Sequence, residues 1–161
     1  PRSTPLYSSA ASDVYKRQGY TISTAESCTG GLIGHRFTNV PGSSTYYLGS
    51  VVCYNNNMKM KTLGVRQSTL KKFGAVSKQT ATEMAKGVRD LFESDMAIAV
   101  TGIAGPGGST TGKPVGLVYI TLVSRDTVWA KEFKFFTDRT LNKQLSSQVA
   151  LNMVRIHLLN G

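Results

Sequence analysis

The chain has 161 residues, a net charge of +10, a hydrophobic fraction of 40% and a charged fraction of 17%, the proportions of one globular domain with a core of its own. No apolar run reaches the roughly 18 residues of a membrane helix. Two cysteines, Cys28 and Cys53, are too few for a disulfide framework and read as reduced, buried thiols of a cytoplasmic protein. The basic residues are scattered: Lys59, Lys61, Lys71 and Lys72 form the only dense group, without an aromatic platform, so the charge fits a small anionic substrate or solubility better than nucleic acid.

Residues 1–18, PRSTPLYSSAASDVYKRQ, show neither helical period, strand alternation nor a signal-peptide core. They read as a non-native or disordered tail ahead of a single domain over 19–161. From Gly19 the elements alternate. A strand is expected over 20–24, then a helix over 30–39 with Leu32, Ile33 and Phe37 inward, stopped by Pro41 and Gly42. A strand over 47–54, rich in β-formers, precedes an asparagine turn and a short helix over 58–63 that ends at Gly64. A further short helix falls over 68–73.

Ser77 caps a helix over 78–94 whose inward face is Ala81, Met84, Ala85, Val88, Leu91 and Phe92. Strands follow over 96–100, 115–123 and 128–136, the last two joined by a hairpin turn at 124–127 and therefore antiparallel. Asp138 caps a final helix to about Leu159, with Leu141, Leu145, Val149, Met153 and Ile156 as its core face. The order predicts an α/β domain with a mixed sheet of roughly five strands and helices on both faces.

Three polar or glycine-rich loops follow strands, and ligands of α/β sheets sit beyond the carboxyl ends of strands. The first carries Glu26, Ser27, Cys28, Thr29 and Gly30. Ser27 alone reads equally as a helix cap, a phosphate ligand or a nucleophile that needs a base. The second carries Tyr54, Asn55, Asn56 and Lys59. With Asn56 as the cap, Lys59 projects from the first helical turn, where burial and the positive helix end lower an amine's pKa toward that of a general base. The alternative is a solvated surface lysine, the reading given to Lys61. The third loop, Thr101-Gly102-Ile103-Ala104-Gly105-Pro106-Gly107-Gly108-Ser109, lacks the Gly-Lys-Ser/Thr closure of a Walker loop and the spacing of a dinucleotide fingerprint. Its glycines let backbone N–H groups approach an oxyanion or phosphate. His35 and His157 have no partners at metal-ligand spacing, so no metal or other cofactor is expected.

The segments TAESCTGGL, SVVCYNNNMKMKTLGV, FGAVS and AVTGIAGPGGSTTGKPVGLVYI, in that order, resemble the CinA C-terminal domain family, that of the competence/damage-inducible proteins. The resemblance implies a three-layer α/β/α sandwich. It also implies an amidohydrolase that converts nicotinamide mononucleotide to nicotinate mononucleotide and ammonia without a metal. Ser27 matches the nucleophile and Lys59 the site lysine. Tyr54, Asn56, Thr101, Gly102, Ile103, Ala104 and Gly105 match substrate and oxyanion positions, with Cys28, Thr29 and Gly30 at the helix start as further oxyanion donors. Arg139 matches an arginine before the last helix, and Lys143 stands where a second arginine is usual; together they are expected to bind the phosphate. Asn55 and Asn57 replace a serine and an acidic residue, and the family's helix before TAESC is replaced by residues 1–18. The expected partner is a small pyridine nucleotide, with no nucleic acid, no membrane and a homo-oligomer as in many relatives. The rival expectation is a non-catalytic nucleotide-binding or regulatory module built from the same loops.

Overall fold

Strand β1, Ile22–Glu26, is buried at every position and lies second in a five-stranded sheet whose central strand is the third in sequence. In the computed structural model, which describes residues 19–160, the elements that follow are α1 (Leu32–Thr38), a 3₁₀ turn (Ser43–Thr45), β2 (Tyr47–Val52), α2 (Asn56–Leu63), α3 (Gln67–Phe73), α4 (Lys78–Phe92), β3 (Met96–Gly102), β4 (Leu117–Val123), β5 (Val128–Lys134) and α5 (Arg139–Asn160). The reading of residues 1–18 as a tail lies outside the described residues. Strand order is β2-β1-β3-β4-β5. β1 pairs in parallel with β2 and β3, while β3–β4 and β4–β5 are antiparallel. The expected mixed sheet and terminal hairpin are both present, the turn being closed by Ser124 N–H donating to Thr127 O at 2.9 Å.

Helices cover both faces. One core packs Ile22, Ile98, Val100, Ile120 and Leu122 of the sheet against Ile33 and Phe37 of α1 and Ala150, Leu151, Val154 and Leu158 of α5. The other packs Ala25, Ala97, Ala99 and Val123 against Met84, Ala85 and Val88 of α4, with Leu63 and Val65 beside them. The alanines follow from the period-2 alternation of strands: every second residue of β1 and β3 faces α4, and small side chains there let that helix sit close.

Register brings the loops together. Glu26 stands opposite Val52 on one side and Val100 on the other, so β1 and β2 end at one level and β3 runs on two residues, to Gly102. Beyond that level Ser27 N–H donates to Val100 O at 3.0 Å and Cys53 N–H to Glu26 O at 2.9 Å. The three candidate loops therefore leave the sheet side by side.

Several boundaries and faces differ from expectation. β1 runs to Glu26 rather than Thr24, because Ala25 and Glu26 complete ladders on both sides although a carboxylate reads as loop. Asn55, not Asn56, caps α2, its side-chain oxygen accepting from Met58 N–H at 2.9 Å. Leu91 is 54% exposed although it lies within α4, which ends at Phe92, two residues short of expectation, with Glu93 in the left-handed conformation. The inward face of α5 keeps Met153 and, partly buried, Val149 of the expected stripe, but its N-terminal half differs. Leu141 is exposed, while Asn142, Ser146, Ser147, Ala150, Leu151, Met153, Val154 and Leu158 are buried. The polar members are satisfied internally: Asn142 Nδ2 donates to Ala104 O and Thr137 O, and Ser146 Oγ donates to Asn142 O. The caps by Ser77 and Asp138 form as expected.

Gly87, in the middle of α4, is where α2 rests. A Cβ added there would lie 1.9 Å from Leu63 O, a backbone atom that cannot swing aside. Alanine ordinarily gains about 1 kcal/mol over glycine inside a helix; here the sign should reverse. Gly87→Ala is expected to lower unfolding free energy by about 2–3 kcal/mol in urea denaturation. An unchanged or raised midpoint would show that α2 is not seated on this position.

Candidate active site

Strand alternation, carried one residue past β1, sends the Glu26 side chain under α1 and the Ser27 side chain toward α2. From the first turn and a half of α2, Lys59 reaches back to meet it. Lys59 Nζ donates to Ser27 Oγ at 3.1 Å and to Cys53 O at 2.9 Å. The lysine is 2% exposed and the serine 8%. Among the described residues no carboxylate forms an ion pair with this amine. Burial holds the Lys59 pKa below its usual 10.5, and the neighbouring Cys53 and Cys28 oppose the shift only in part. An amine so placed can be neutral and can take a proton from the serine hydroxyl.

The pair lies in a cleft of about 240 Å³ lined by Ser27, Cys28, Tyr54, Asn56, Lys59, Ala75, Val76, 101–105, Gly107, Gly108 and Arg139. Eleven of the fourteen site residues expected from sequence, Ser27, Cys28, Tyr54, Asn56, Lys59, Thr101, Gly102, Ile103, Ala104, Gly105 and Arg139, thus line one cleft. Thr29, Gly30 and Lys143 lie outside its lining. The Thr29 hydroxyl is turned to Glu26, and Lys143 Nζ sits 3.6 Å from where a Cβ of Gly30 would be, near enough to Cys28 to act on its thiol. A larger cavity of about 750 Å³ opens at the other end of the parallel strands, between Asp95 and the 124–127 turn, and holds none of the candidate residues.

Each loop is fastened separately. Thr101 Oγ1 donates to Ala75 O at 2.9 Å, which brings the 73–77 segment into the cleft wall. Arg139 bridges the mouth: Nη1 donates to Gly105 O at 2.7 Å and Nη2 to Tyr54 Oη at 2.6 Å. Ile103 N–H is spent on Leu117 O, so it is not a free oxyanion donor. The main-chain N–H groups of Cys28, Thr29, Ala104 and Gly105 donate to no oxygen of the described residues.

Cys28 is the other nucleophile type in the cleft. Burial, with the Glu26 charge adding to it, pushes its thiol up to about 12, so it stays protonated at neutral pH and lacks the thiolate that makes a cysteine reactive. Sequence reasoning omitted Ala75 and Val76 from the site, although FGAVS was among the motifs, and it gave Glu26 no role. This carboxylate is fully buried and accepts from Thr29 Oγ1 and from the N–H groups of Gly31, Ile33 and Gly34 at 2.7–3.1 Å.

Fold and cleft together define an open, mixed α/β sandwich with a buried serine–lysine pair at the carboxyl edge of its parallel strands. The family model for the CinA C-terminal domain matches residues 6–158, and the chain belongs to that family. It is 51% identical over 153 residues to a CinA-like protein of Chloroherpeton thalassium, covering 92% of this chain and 36% of that protein. To a putative competence-damage inducible protein of Halothermothrix orenii it is 52% identical over 135 residues, covering 83% and 33%. The chain thus spans about a third of the length of these relatives. Among solved structures it resembles the competence/damage inducible protein CihA of Agrobacterium tumefaciens (TM-score 0.89, 41% identity, 94% of each chain). It also resembles a competence-damaged protein (CinA) superfamily protein of Klebsiella pneumoniae (TM-score 0.95, 28% identity, 99% of this chain and 100% of that one).

Because the Lys59 pKa is lower folded than unfolded, the unfolded chain holds this proton more tightly. Stability contributed by the site therefore rises with pH through the interval between the two values, by up to about 1.4 kcal/mol per pH unit. The difference in unfolding free energy between wild type and Lys59→Met, followed by urea denaturation from pH 7 to 10, is expected to move in favour of wild type as pH rises. A difference independent of pH would mean that Lys59 titrates alike in both states.

Proposed function

We propose that this domain is an amidohydrolase that deamidates nicotinamide mononucleotide to nicotinate mononucleotide and ammonia. The observation that carries the reading is the 3.1 Å contact between Ser27 Oγ and a buried Lys59 amine with no carboxylate to hold its charge. In the proposed sequence Lys59, neutral and oriented by Cys53 O, accepts the Ser27 proton as Oγ attacks the carboxamide carbon. The carbonyl oxygen gains charge and is met by free N–H groups, those of Cys28 and Thr29 or those of Ala104 and Gly105. As the C–N bond breaks, the Lys59 ammonium returns its proton to the departing nitrogen and ammonia leaves. Water, deprotonated by the same amine, then attacks the Ser27 ester and releases the carboxylate.

An anionic substrate suits the cleft, whose lining holds the Arg139 guanidinium and the Lys59 amine and no carboxylate. Arg139 is assigned to the phosphate, exchanging its contacts with Tyr54 and Gly105 for charge-assisted bonds to phosphate oxygens. Nicotinamide as a reacting group, rather than another carboxamide, rests on the family resemblance.

Ammonia release from nicotinamide mononucleotide tests the reading. Ser27→Ala and Lys59→Ala should each lose at least about 10³-fold in turnover, whereas Cys28→Ala should stay within about tenfold of wild type. In wild type kcat/KM should rise with pH along a limb set by Lys59, below the usual lysine range. Arg139→Ala should raise KM by about 10–100-fold, the worth of one or two charge-assisted hydrogen bonds. Near wild-type turnover in both the Ser27 and the Lys59 variants would refute the mechanism. Calorimetric binding of the nucleotide by wild type without ammonia release would favour the non-catalytic module instead.

A further inference from the structure

The loop that presents Ser27 is wound around a buried anion. A short helix ordinarily has its first N–H groups met by the side chain of its own cap, but Gly31, at the cap of α1, has no side chain to offer. Glu26, five residues earlier, takes that part. Oε2 accepts from Gly31 N–H at 3.0 Å, Ile33 N–H at 3.1 Å and Thr29 Oγ1 at 2.7 Å, while Oε1 accepts from Gly34 N–H at 2.8 Å and, at longer range, Ser50 Oγ at 3.4 Å. The remaining N–H groups of this stretch are settled within the main chain: Gly30 donates to Ser27 O, Leu32 to Thr29 O and His35 to Gly31 O. Only Cys28 and Thr29 N–H are left without an oxygen, and they follow Ser27 directly.

Two consequences follow. The positive end of α1 is already neutralised by a full negative charge, so an oxyanion at Ser27 draws no support from that helix end and depends on discrete donors. The turn can take its shape only while the carboxylate is there to gather its donors, since Gly30 and Gly31 both have positive φ, 63° and 98°, and leave the backbone little preference of its own.

We propose that Glu26 is a positioning residue for the Ser27 nucleophile: its carboxylate sets the 27–31 turn so that Ser27 Oγ meets Lys59 and the Cys28 and Thr29 N–H groups stay free for an oxyanion. The oxyanion part rests on the amidohydrolase reading; the Ser27–Lys59 alignment does not. An amide at position 26 would keep the shape but turn an NH₂ toward backbone donors, so Glu26→Gln misplaces the turn with little change in volume.

The test uses the full chain and two readouts. Ammonia release from nicotinamide mononucleotide by Glu26→Gln should show kcat down about 100-fold with KM within about threefold, and Glu26→Asp should recover part of the loss. Independently of activity, NMR titration of the Lys59 side chain, labelled with ¹³C at Cε, should show its pKa displaced further below the ordinary lysine range in Glu26→Gln, because the still-buried ammonium loses its Ser27 Oγ acceptor. Should Glu26→Gln fail to fold, Thr29→Val removes one of the carboxylate's donors while keeping shape, and a smaller loss, about tenfold in kcat, is expected. If the folded variant keeps wild-type kcat and wild-type Lys59 titration, Glu26 only stabilises α1 and the proposal falls. If wild type itself releases no ammonia, the amidohydrolase reading fails, and the Lys59 titration alone decides whether Glu26 aligns the pair.

Discussion

Burying one amine governs much of this structure. Among the described residues Lys59 Nζ has only a hydroxyl and a carbonyl as hydrogen-bond partners, and removing a charge from water without a counter-ion is costly enough that the neutral form gains ground. Everything around it holds that arrangement in place. Cys53 offers its carbonyl because its N–H is tied to Glu26 at the end of the ladder. The helix bearing the lysine is capped by Asn55, ended by Gly64 in the left-handed conformation, and seated on α4 through Gly87. Were the lysine free to reach solvent, it would be an ordinary surface cation and Ser27 an ordinary hydroxyl.

The two acidic and thiol groups beside the pair fit the same logic. Glu26 is close enough to raise the Cys28 thiol, yet its oxygens are consumed by α1 and the 27–31 turn rather than by Lys59. The carboxylate and the amine face opposite sides of the same backbone step, as strand alternation requires of neighbouring residues. An ion pair between them would have kept the lysine charged; separation by the backbone prevents it.

Much of this was legible in the sequence, for identifiable reasons. Strands rich in β-branched residues, the 124–127 turn and the caps at Ser77 and Asp138 depend on local chemistry, and all formed. Ser27, Lys59 and the 101–105 loop could be picked out because each follows a strand and carries a residue type with few reasons to be there. What escaped is set by tertiary contacts. Hydrophobic periodicity placed Met153 and Val149 of α5 against the core but missed the inner face of its N-terminal half, which Asn142, Ser146 and Ser147 occupy, their polar groups met by carbonyls and by Arg36. Leu91 fits the stripe of α4 but is exposed, while Phe92 beside it packs on the core. Glu26 read as a loop residue, since only the folded turn shows the donors gathered around it.

The alanines at 25, 97 and 99 carry a consequence of their own. On the opposite face the same strands present Ile22, Ile98 and Val100, so the sheet is thick on one side and thin on the other. The thin side sets how near α4 comes, α4 sets where α2 lies, and α2 sets the reach of Lys59. A methyl group added at these alanines would press on α4 and, through Gly87 against Leu63, on the helix that carries Lys59. Sequence drift that looks neutral by hydrophobicity is therefore constrained by thickness, and the spacing of one helix from its sheet acts as the gauge to which the serine–lysine pair is set.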